Sequence, residues 1–409
     1  MARYRAVWAS SLALLLAAGI GGCEASGMPP AGGTGRTAGP VTVYVANQAE
    51  DTVTPIRAAS NIAGSPIRVG PAPALIAISP DGQTAYVVGV GSILPDAAAP
   101  VTLTPIRTAT DWPGRVITVC PPENLGGVIA PDAIAISPDS QTIYVSCAGT
   151  VVPVCAGADT TSRPIKVSSA GALAMAANGR TVYVANPDGD TITPISTATD
   201  EPGQPIPVGQ SPDAMAVTPD GKTVLVLTSA GVSGLTPVDA ATNRAGKPVA
   251  IPGAYAVAVA PGGETACVLA MPDPDSQQGF VVPVDIRTMT AGTPIKVGLS
   301  PVQIVFTPDG KMAYVANYAS GSVTPIQLAE GRAEPAIAAG KIPSGLAASP
   351  DGTTVYVLDS NIFGGLGPGM PVKTAPFGPG QVIPIHVATN SAGRPVKVGR
   401  LAIAIAIAA

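Results

Sequence analysis

Histidine is the side chain best suited to acid–base and metal chemistry near neutral pH, and the 409-residue sequence contains one, His386. A zinc or copper site built from several histidines is therefore excluded, and a Ser-His-Asp triad would depend on this single residue. No glycine-rich phosphate loop follows a strand pattern and opens a helix. We expect no metal and no cofactor, and we interpret His386 as a surface or structural residue.

Two short segments carry paired aspartates that could bind calcium. They are Asp188 with Asp190 and Asp273 with Asp275. Calcium loops draw oxygen ligands from several fixed positions, and neither segment provides that full pattern. Aspartate is also frequent in turns, because its carboxylate accepts hydrogen bonds from the nearby backbone. We interpret both segments as turns.

The first of the five cysteines, Cys23, follows a segment typical of export signals. Two arginines among the first five residues precede an apolar stretch over 6–20, which is too short for a comfortable membrane-spanning helix. The three residues before the cysteine, Ile-Gly-Gly, resemble the bacterial lipobox, in which the cysteine becomes the lipidated N-terminus. The sequence predicts a lipoprotein signal peptide over 1–22 and lipidation of Cys23. An ordinary cleaved signal is the alternative.

Composition separates a tether from a folded domain. Residues 23–40 are rich in Gly, Ala, Thr and Pro, which predicts a flexible tether, and residues 41–409 form the domain. Charged residues make 12% of the chain, the net charge is −4, and no run of Lys or Arg occurs. We therefore expect no nucleic-acid partner.

The elements that position any site come from an internal repeat. From residue 41 onward the sequence repeats with a period of about 40–58 residues, which is typical of propellers and solenoids. The unit over 211–252 contains four strand patterns separated by turns. Proline presets φ, aspartate bonds to its own backbone and glycine accepts a positive φ, so Pro-Asp-Gly predicts a tight hairpin. This tripeptide occurs at 80–82, 219–221, 308–310 and 350–352.

The second strand of the unit carries a recognisable motif. It reads VYVAN at 43–47 and 182–186, and AYVAN at 313–317. With these strands the sequence resembles the YVTN β-propeller repeat family of bacterial exported and surface proteins, over almost all of 41–409. The resemblance implies an all-β propeller and says little about function. The third strand departs from the family, because it places proline where valine is more common.

Counting the strand patterns gives the number of blades. The first-strand pattern occurs seven times before the C-terminus, and the other three patterns occur eight times. The missing first strand is Leu401–Ala409, at the C-terminal end. The sequence predicts a single propeller of eight four-stranded blades, closed by pairing of this strand with the N-terminal blade. Seven blades are the alternative, because many relatives have seven.

Proline in the middle of a strand removes a donor from the ladder, yet each third strand has one. The sequence contains it at positions 55, 105, 153, 194, 237, 283, 325 and 384. An outer strand often pairs over only part of its length. We expect the missing N–H to point toward a fraying or bulged outer edge, so that no ladder bond is lost.

Aligning the blades predicts where a ligand would bind. Propellers bind ligands at the mouth of the axial channel, where the loops enter the first strands. One equivalent position there holds Ala74, Asp132, Gly171, Asp213, Tyr255, Val302 and Ser344, with Gln303 beside it. This ring is mixed and mildly acidic, which favours a cationic or hydroxyl-rich ligand. Solvated loop residues would give the same pattern.

The same alignment pairs two of the four remaining cysteines. Their spacings are not those of a metal site, and export permits disulfides. Cys147 and Cys120 fall at strand ends on one face of the disc, whereas Cys155 falls at the opposite end of its strand. Geometry therefore selects Cys120–Cys147 if a disulfide forms. Unpaired buried cysteines are the alternative.

These observations predict an extracytoplasmic, membrane-anchored, monomeric propeller that binds a small molecule or an envelope protein. The first alternative is a propeller enzyme of the lactonase, lyase or quinoprotein dehydrogenase type, which rests on the fold alone. The second is a purely structural envelope protein.

Overall fold

Eight antiparallel sheets form the molecule. The computed structural model describes residues 41–91, 99–121, 133–147, 149–231, 233–273, 275–360 and 378–409. The innermost strand of each sheet contacts the innermost strands of its two neighbours, so the sheets close into a β-propeller. We letter the blades A to H, beginning with the blade that contains Thr42. The predicted count of eight is confirmed. The predicted signal peptide, Cys23, the tether and Asp132 lie outside the described residues.

The first and second strands form the inner half of each blade. The first strands are Ala402–Ala408, Pro73–Ile78, Ile134–Ile136, Leu173–Met175, Pro212–Val217, Ala254–Val259, Pro301–Phe306 and Pro343–Ala348. The second strands are Thr42–Asn47, Thr84–Gly89, Thr142–Cys147, Thr181–Asn186, Thr223–Thr228, Thr265–Ala270, Met312–Asn317 and Thr354–Asp359.

The outer half of each blade consists of a third strand and a fourth strand in two short pieces. The third strands are Thr52–Arg57, Val101–Arg107, Thr150–Cys155, Thr191–Ser196, Gly234–Asp239, Gln278–Asp285, Ser322–Gln327 and Pro379–His386. The fourth strands are Ile62–Ala63 with Ile67–Arg68, Trp112–Pro113 with Ile117–Cys120, Thr160–Thr161 with Ile165–Lys166, Glu201–Pro202 with Ile206–Pro207, Arg244–Ala245 with Val249–Ala250, Thr290–Ala291 with Ile295–Leu299, Arg332–Ala333 with Ile337–Ala338, and Ser391–Ala392 with Val396–Arg400.

The ring closes as the strand count predicts. Ala402–Ala408 pairs antiparallel with Thr42–Asn47, from Thr42 opposite Ala408 to Asn47 opposite Ala402. The C-terminal strand thereby supplies the first strand of blade A. No blade is left with an open inner edge at the junction of the two ends.

The third-strand prolines face the interruption in the fourth strand. In blade A, the Pro55 carbonyl accepts a hydrogen bond from the Gly64 backbone N–H at 2.7 Å, and residues 64–66 separate the two outer pieces. The nitrogen and carbonyl of a strand residue point to the same side, so the missing N–H also faces this break. The other seven blades repeat the contact at 2.7–2.8 Å. The sequence interpretation of these prolines is confirmed.

Buried tyrosines connect four pairs of neighbouring blades among the described residues. Each tyrosine lies in a second strand, and its hydroxyl donates to the side chain of an Asp or Asn in a turn of the next blade. Each of these Asp and Asn residues has a positive φ. The pairs are Tyr44–Asp111 at 2.7 Å, Tyr144–Asp200 at 3.1 Å, Tyr183–Asn243 at 3.1 Å and Tyr314–Asn390 at 2.8 Å. Blade E has Leu225 instead, and Met289 of blade F packs in the same cluster. At this contact between blades, the tyrosine hydroxyl thus has a polar partner, and the leucine that replaces it has an apolar one.

The two faces of the disc differ. The turn face carries the Pro-Asp-Gly hairpins, in which Asp81 accepts bonds from the Ser79 hydroxyl at 2.6 Å and the Gln83 N–H at 2.9 Å, and Gly82 has a φ of 72°. The loop face is the opposite one, where the first strands begin. Across the described ranges the only helical segment is the short 3₁₀ turn Pro187–Gly189. None of these residues forms a helix that is long and apolar enough to cross a membrane.

Candidate functional site

The predicted ligand-binding position coincides with a structural irregularity. In five blades the residue at this position is the extra residue of a β-bulge at the loop-face end of the first strand. They are Ala74, Asp213, Tyr255, Val302 and Ser344. In blade A the bulged residue is Ile403. A bulge takes its extra residue out of the register of the strand ladder and redirects its side chain. We call these six residues the bulge ring. Asp132 lies outside the described residues, and Gly171 is buried.

Ser344 is buried, with 8% of its surface exposed. Its hydroxyl contacts the Ser360 hydroxyl and donates to the Leu358 carbonyl at 3.3 Å. Leu358 lies in the second strand of the same blade and Ser360 follows that strand, so this hydroxyl stabilises the bulge itself.

Gln303 and Tyr255 tie neighbouring blades together. The Gln303 side-chain oxygen accepts from the Leu346 N–H at 2.6 Å, and its nitrogen donates to the Leu346 carbonyl at 3.3 Å. The Tyr255 hydroxyl donates to the Pro301 carbonyl of the next blade. Both side chains therefore stabilise contacts between neighbouring blades. Stacking and hydrogen bonding of Tyr255 and Gln303 to a ligand remain a prediction.

Asp213 is the charged member of the bulge ring. It is half-buried, and its two carboxylate oxygens accept from the hydroxyls of Ser211, at 3.1 Å, and Ser229. The ring positions of blades B, G and A are aliphatic, with Ala74, Val302 and Ile403. Within the described residues, the mouth therefore combines one carboxylate with aliphatic surface.

Comparison with known proteins identifies the fold and no more. Neither a protein-family model nor a curated protein matches the sequence. Solved structures do match. Kuenenia stuttgartiensis hydrazine synthase is 20% identical, with a TM-score of 0.56 over 71% of this chain and 93% of that one. Dihydro-heme d1 dehydrogenase NirN in complex with DHE is 12% identical, with a TM-score of 0.66 over 89% of this chain and 74% of that one. Apo AztD from Citrobacter koseri is 14% identical, with a TM-score of 0.62 over 90% of this chain and 97% of that one.

The chain has a propeller fold. At these identities the likeness carries no ligand and no reaction to this protein.

A disulfide joins two blades at the loop face. Cys120 ends the fourth strand of blade B, Cys147 ends the second strand of blade C, and their Cα atoms are 6.3 Å apart. This is the pair that the blade register selected. Cys267 is a free cysteine within the inner half of blade F, and burial raises the pKa of its thiol to about 12. A thiol with so high a pKa is a poor nucleophile at neutral pH.

Asp190 and Asp273 each occupy a turn. Asp190 has a φ of 55°, and its carboxylate accepts from the Ser211 N–H of the next blade at 3.0 Å. The Asp273 carboxylate accepts from the Asp275 N–H of its own turn at 3.0 Å. Over the described ranges, no three His, Cys, Asp or Glu side chains converge as metal ligands would. His386 is exposed at the turn-face end of its strand.

Two cavities of the described residues involve blade H. The larger, about 570 Å³, lies on the turn face between blades G and H, which is the face opposite to the predicted ligand-binding mouth. The smaller, about 180 Å³, is on the loop face of blade H beside Asp359. That carboxylate is buried and accepts from the N–H groups of Lys341 and Ile342 and from the Gln381 amide, so it fixes the local backbone.

Sequence reasoning missed the larger cavity. One signal was available in the alignment. The second strands of the other seven blades begin with threonine, whereas that of blade G begins with Met312. An isolated change of this kind indicates a local change in packing, but it does not by itself reveal a cavity.

Proposed function

We propose that this protein is an exported, lipid-anchored β-propeller that binds a ligand or a partner protein at the cell envelope. The disulfide between Cys120 and Cys147 carries the proposal. Such cross-links persist in oxidising compartments outside the cytoplasm and are rare inside it. Export also fits the signal-like segment over 1–22 and the lipobox-like cysteine, Cys23.

The state of the bulge ring supports binding over catalysis. A catalytic site needs a nucleophile, an acid or a base whose polar atoms can reach a substrate. Here Ser344, Gln303 and Tyr255 use their polar atoms to hold the ring together. Asp213, with aliphatic neighbours around the mouth, is suited to attract a cationic or hydroxyl-rich ligand without transforming it.

The fold is also compatible with an enzyme, since two of the similar solved structures are a synthase and a dehydrogenase. No geometry of the described residues favours that alternative. A purely structural envelope protein is the remaining one, and the absence of any ligand at the loop face in a binding screen would favour it.

Changing Cys23→Ser should release the protein from the membrane. Burial of acyl chains contributes about 0.8 kcal/mol for each CH₂ group, and stable anchoring takes more than one chain. Fractionation of cells that produce the full chain should show the membrane-bound share falling by at least about tenfold. Ser26→Ala, three residues along the tether, is the matched control and should leave the protein on the membrane. Retention of the Cys23→Ser protein in the membrane fraction would refute the anchor.

Changing Asp213→Asn should weaken binding at the loop face. Asparagine keeps an oxygen that can accept from Ser211 and loses the charge. Glucosamine, which is both cationic and hydroxyl-rich, is a suitable probe, and its affinity by NMR titration should fall about threefold to tenfold. Asp220→Asn, in the turn-face hairpin of blade E and outside the larger cavity, is the control. An unchanged affinity in the folded Asp213→Asn protein would place the site elsewhere.

A further inference from the structure

The chain itself shows how a groove between blades can be filled by a cation. Between blades A and B, Arg57 reaches across the groove on the turn face. Its guanidinium donates to the Thr42 hydroxyl at 2.6 Å and to the Asp111 carboxylate of blade B at 2.5 Å. A cation on a short apolar stem therefore fits the space between two blades of this ring.

The groove between blades G and H lacks these side chains. Met312 stands in the place of Thr42, and Gln327 stands in the place of Arg57. Asn390 stands in the place of Asp111, so the carboxylates of this groove come from other positions. The Gln327 amide contacts the Glu334 carboxylate of its own blade, so it does not extend toward blade H as Arg57 extends toward blade B. The space forms the cavity of about 570 Å³, a volume within the range of small-molecule sites.

The lining of this groove combines an apolar floor with negative charge. The apolar part includes Pro308, Met312, Ala329 and Val387. The charged part comprises the carboxylates Asp309, Asp351 and Glu330 and the ammonium of Lys311. Lys311 lies 3.3 Å from Asp309, and Glu330 pairs with Arg332 at 3.0 Å. With Arg332 counted beside Lys311, three carboxylates face two cations, which leaves an excess of one negative charge.

Two of the carboxylates stay ionised well into the acid range. Hydrogen bonds from the Thr307 hydroxyl and the Lys311 N–H lower the pKa of Asp309. Hydrogen bonds from the Ser349 hydroxyl and the Thr353 N–H lower the pKa of Asp351 in the same way. Both groups are therefore anionic at neutral pH, in the adjacent hairpins of blades G and H.

We propose that the groove between blades G and H binds a guanidinium or primary ammonium group on a short aliphatic stem, in the manner of Arg57 between blades A and B. The stem contacts the apolar floor and the cation lies among the carboxylates. The cation comes either from an arginine or lysine side chain of a partner or from a free small amine. This site is independent of the loop face and of the membrane anchor.

The test compares n-butylguanidinium with n-butylurea, which has nearly the same shape and no charge. Calorimetric titration of the purified full chain should show the guanidinium binding at least about tenfold more tightly. The double change Asp309→Asn with Asp351→Asn should lower its affinity about fivefold or more. Asp220→Asn is the matched control, because Asp220 lies in a hairpin of blade E with the same Thr-Pro-Asp-Gly-Lys sequence and outside the groove.

A variant that adds a cation to the groove tests the proposal more directly than the removal of carboxylates. Gln327→Arg should place the chain's own cation in the groove, as in blade A, and should lower n-butylguanidinium affinity at least about tenfold while the protein stays folded. A capped Gly-Gly-Arg-Gly-Gly peptide separates the sources. Tighter binding of the peptide than of n-butylguanidinium indicates a polypeptide, and equal binding indicates a free amine. Equal binding of n-butylurea and n-butylguanidinium, or unchanged affinity in folded Gln327→Arg, would overturn the proposal.

Discussion

Removal of residues 401–409 should abolish cooperative folding of the ring. This segment forms six residue pairs with the second strand of blade A, and the lost ladder hydrogen bonds cost about 1 kcal/mol each. Leu401 is buried and three isoleucines are partly buried, so their loss adds about 1 kcal/mol each. The sum, about 5–10 kcal/mol, is comparable to the whole stability of a typical domain of about 5–15 kcal/mol.

The deletion also exposes the inner faces of two blades. Ile405 and Ile407 pack in a cluster with Val43 and Leu358, and Ala406 packs in a second cluster with Tyr44. Thermal unfolding followed by circular dichroism, with size-exclusion chromatography, should show a lost transition or aggregation. Removal of the exposed Ala409 alone is the control and should leave the melting temperature within about 2 °C. A full deletion that melts like the intact chain would refute the role of this strand in closure.

The closure of the ring could be predicted because, in a repeating sequence, a strand that is missing from one repeat can be recognised. Seven first-strand patterns beside eight of every other strand leave one blade incomplete, and Leu401–Ala409 was the matching segment. The same register predicted that the third-strand prolines face an irregular outer edge and that Cys120 lies near Cys147. These inferences need strand order and alignment, both of which a periodic sequence provides.

The hydrogen-bond partners at the channel mouth could not be predicted in this way. Alignment places Gln303 at the mouth, but its partner is the backbone of Leu346, 43 residues further along the chain. Ser344 similarly contacts Ser360 because a bulge turns its side chain inward. Register gives the height of a residue on the disc, whereas the direction of its side chain depends on bulges and on the neighbouring blade.

The groove between blades G and H illustrates a second limit. Its cavity depends on Gln327 turning toward Glu334 of its own blade, where Arg57 crosses to the next blade. Both side chains are long and polar and occupy the same register, so the sequence permits either direction. Only the side-chain contacts distinguish a filled groove from an open one.

Replacing Cys120 and Cys147 together by alanine should lower the free energy of unfolding by about 3–4 kcal/mol. The disulfide links residues 27 positions apart in sequence, and the chain-entropy estimate for a loop of that length gives this value. It also connects the outer edge of blade B to the inner half of blade C, so its loss removes a covalent constraint between two blades that otherwise meet through packing. For a domain of this size the melting temperature should fall by roughly 4–5 °C.

Urea unfolding of the exported protein, with peptide mapping under non-reducing conditions, measures this effect. Peptides containing Cys120 and Cys147 should be recovered as one cross-linked species, and the double variant should unfold at a lower urea concentration. Cys267→Ala is the matched control, because that thiol is buried and free, so its replacement removes one sulfur from the core and no cross-link. Its cost should be about 1 kcal/mol. If the double variant were no less stable than the Cys267→Ala variant, or if the two peptides were recovered separately, the disulfide would not constrain the ring. Export would then lose the support of this cross-link, because disulfides persist in oxidising compartments and are rare in the cytoplasm.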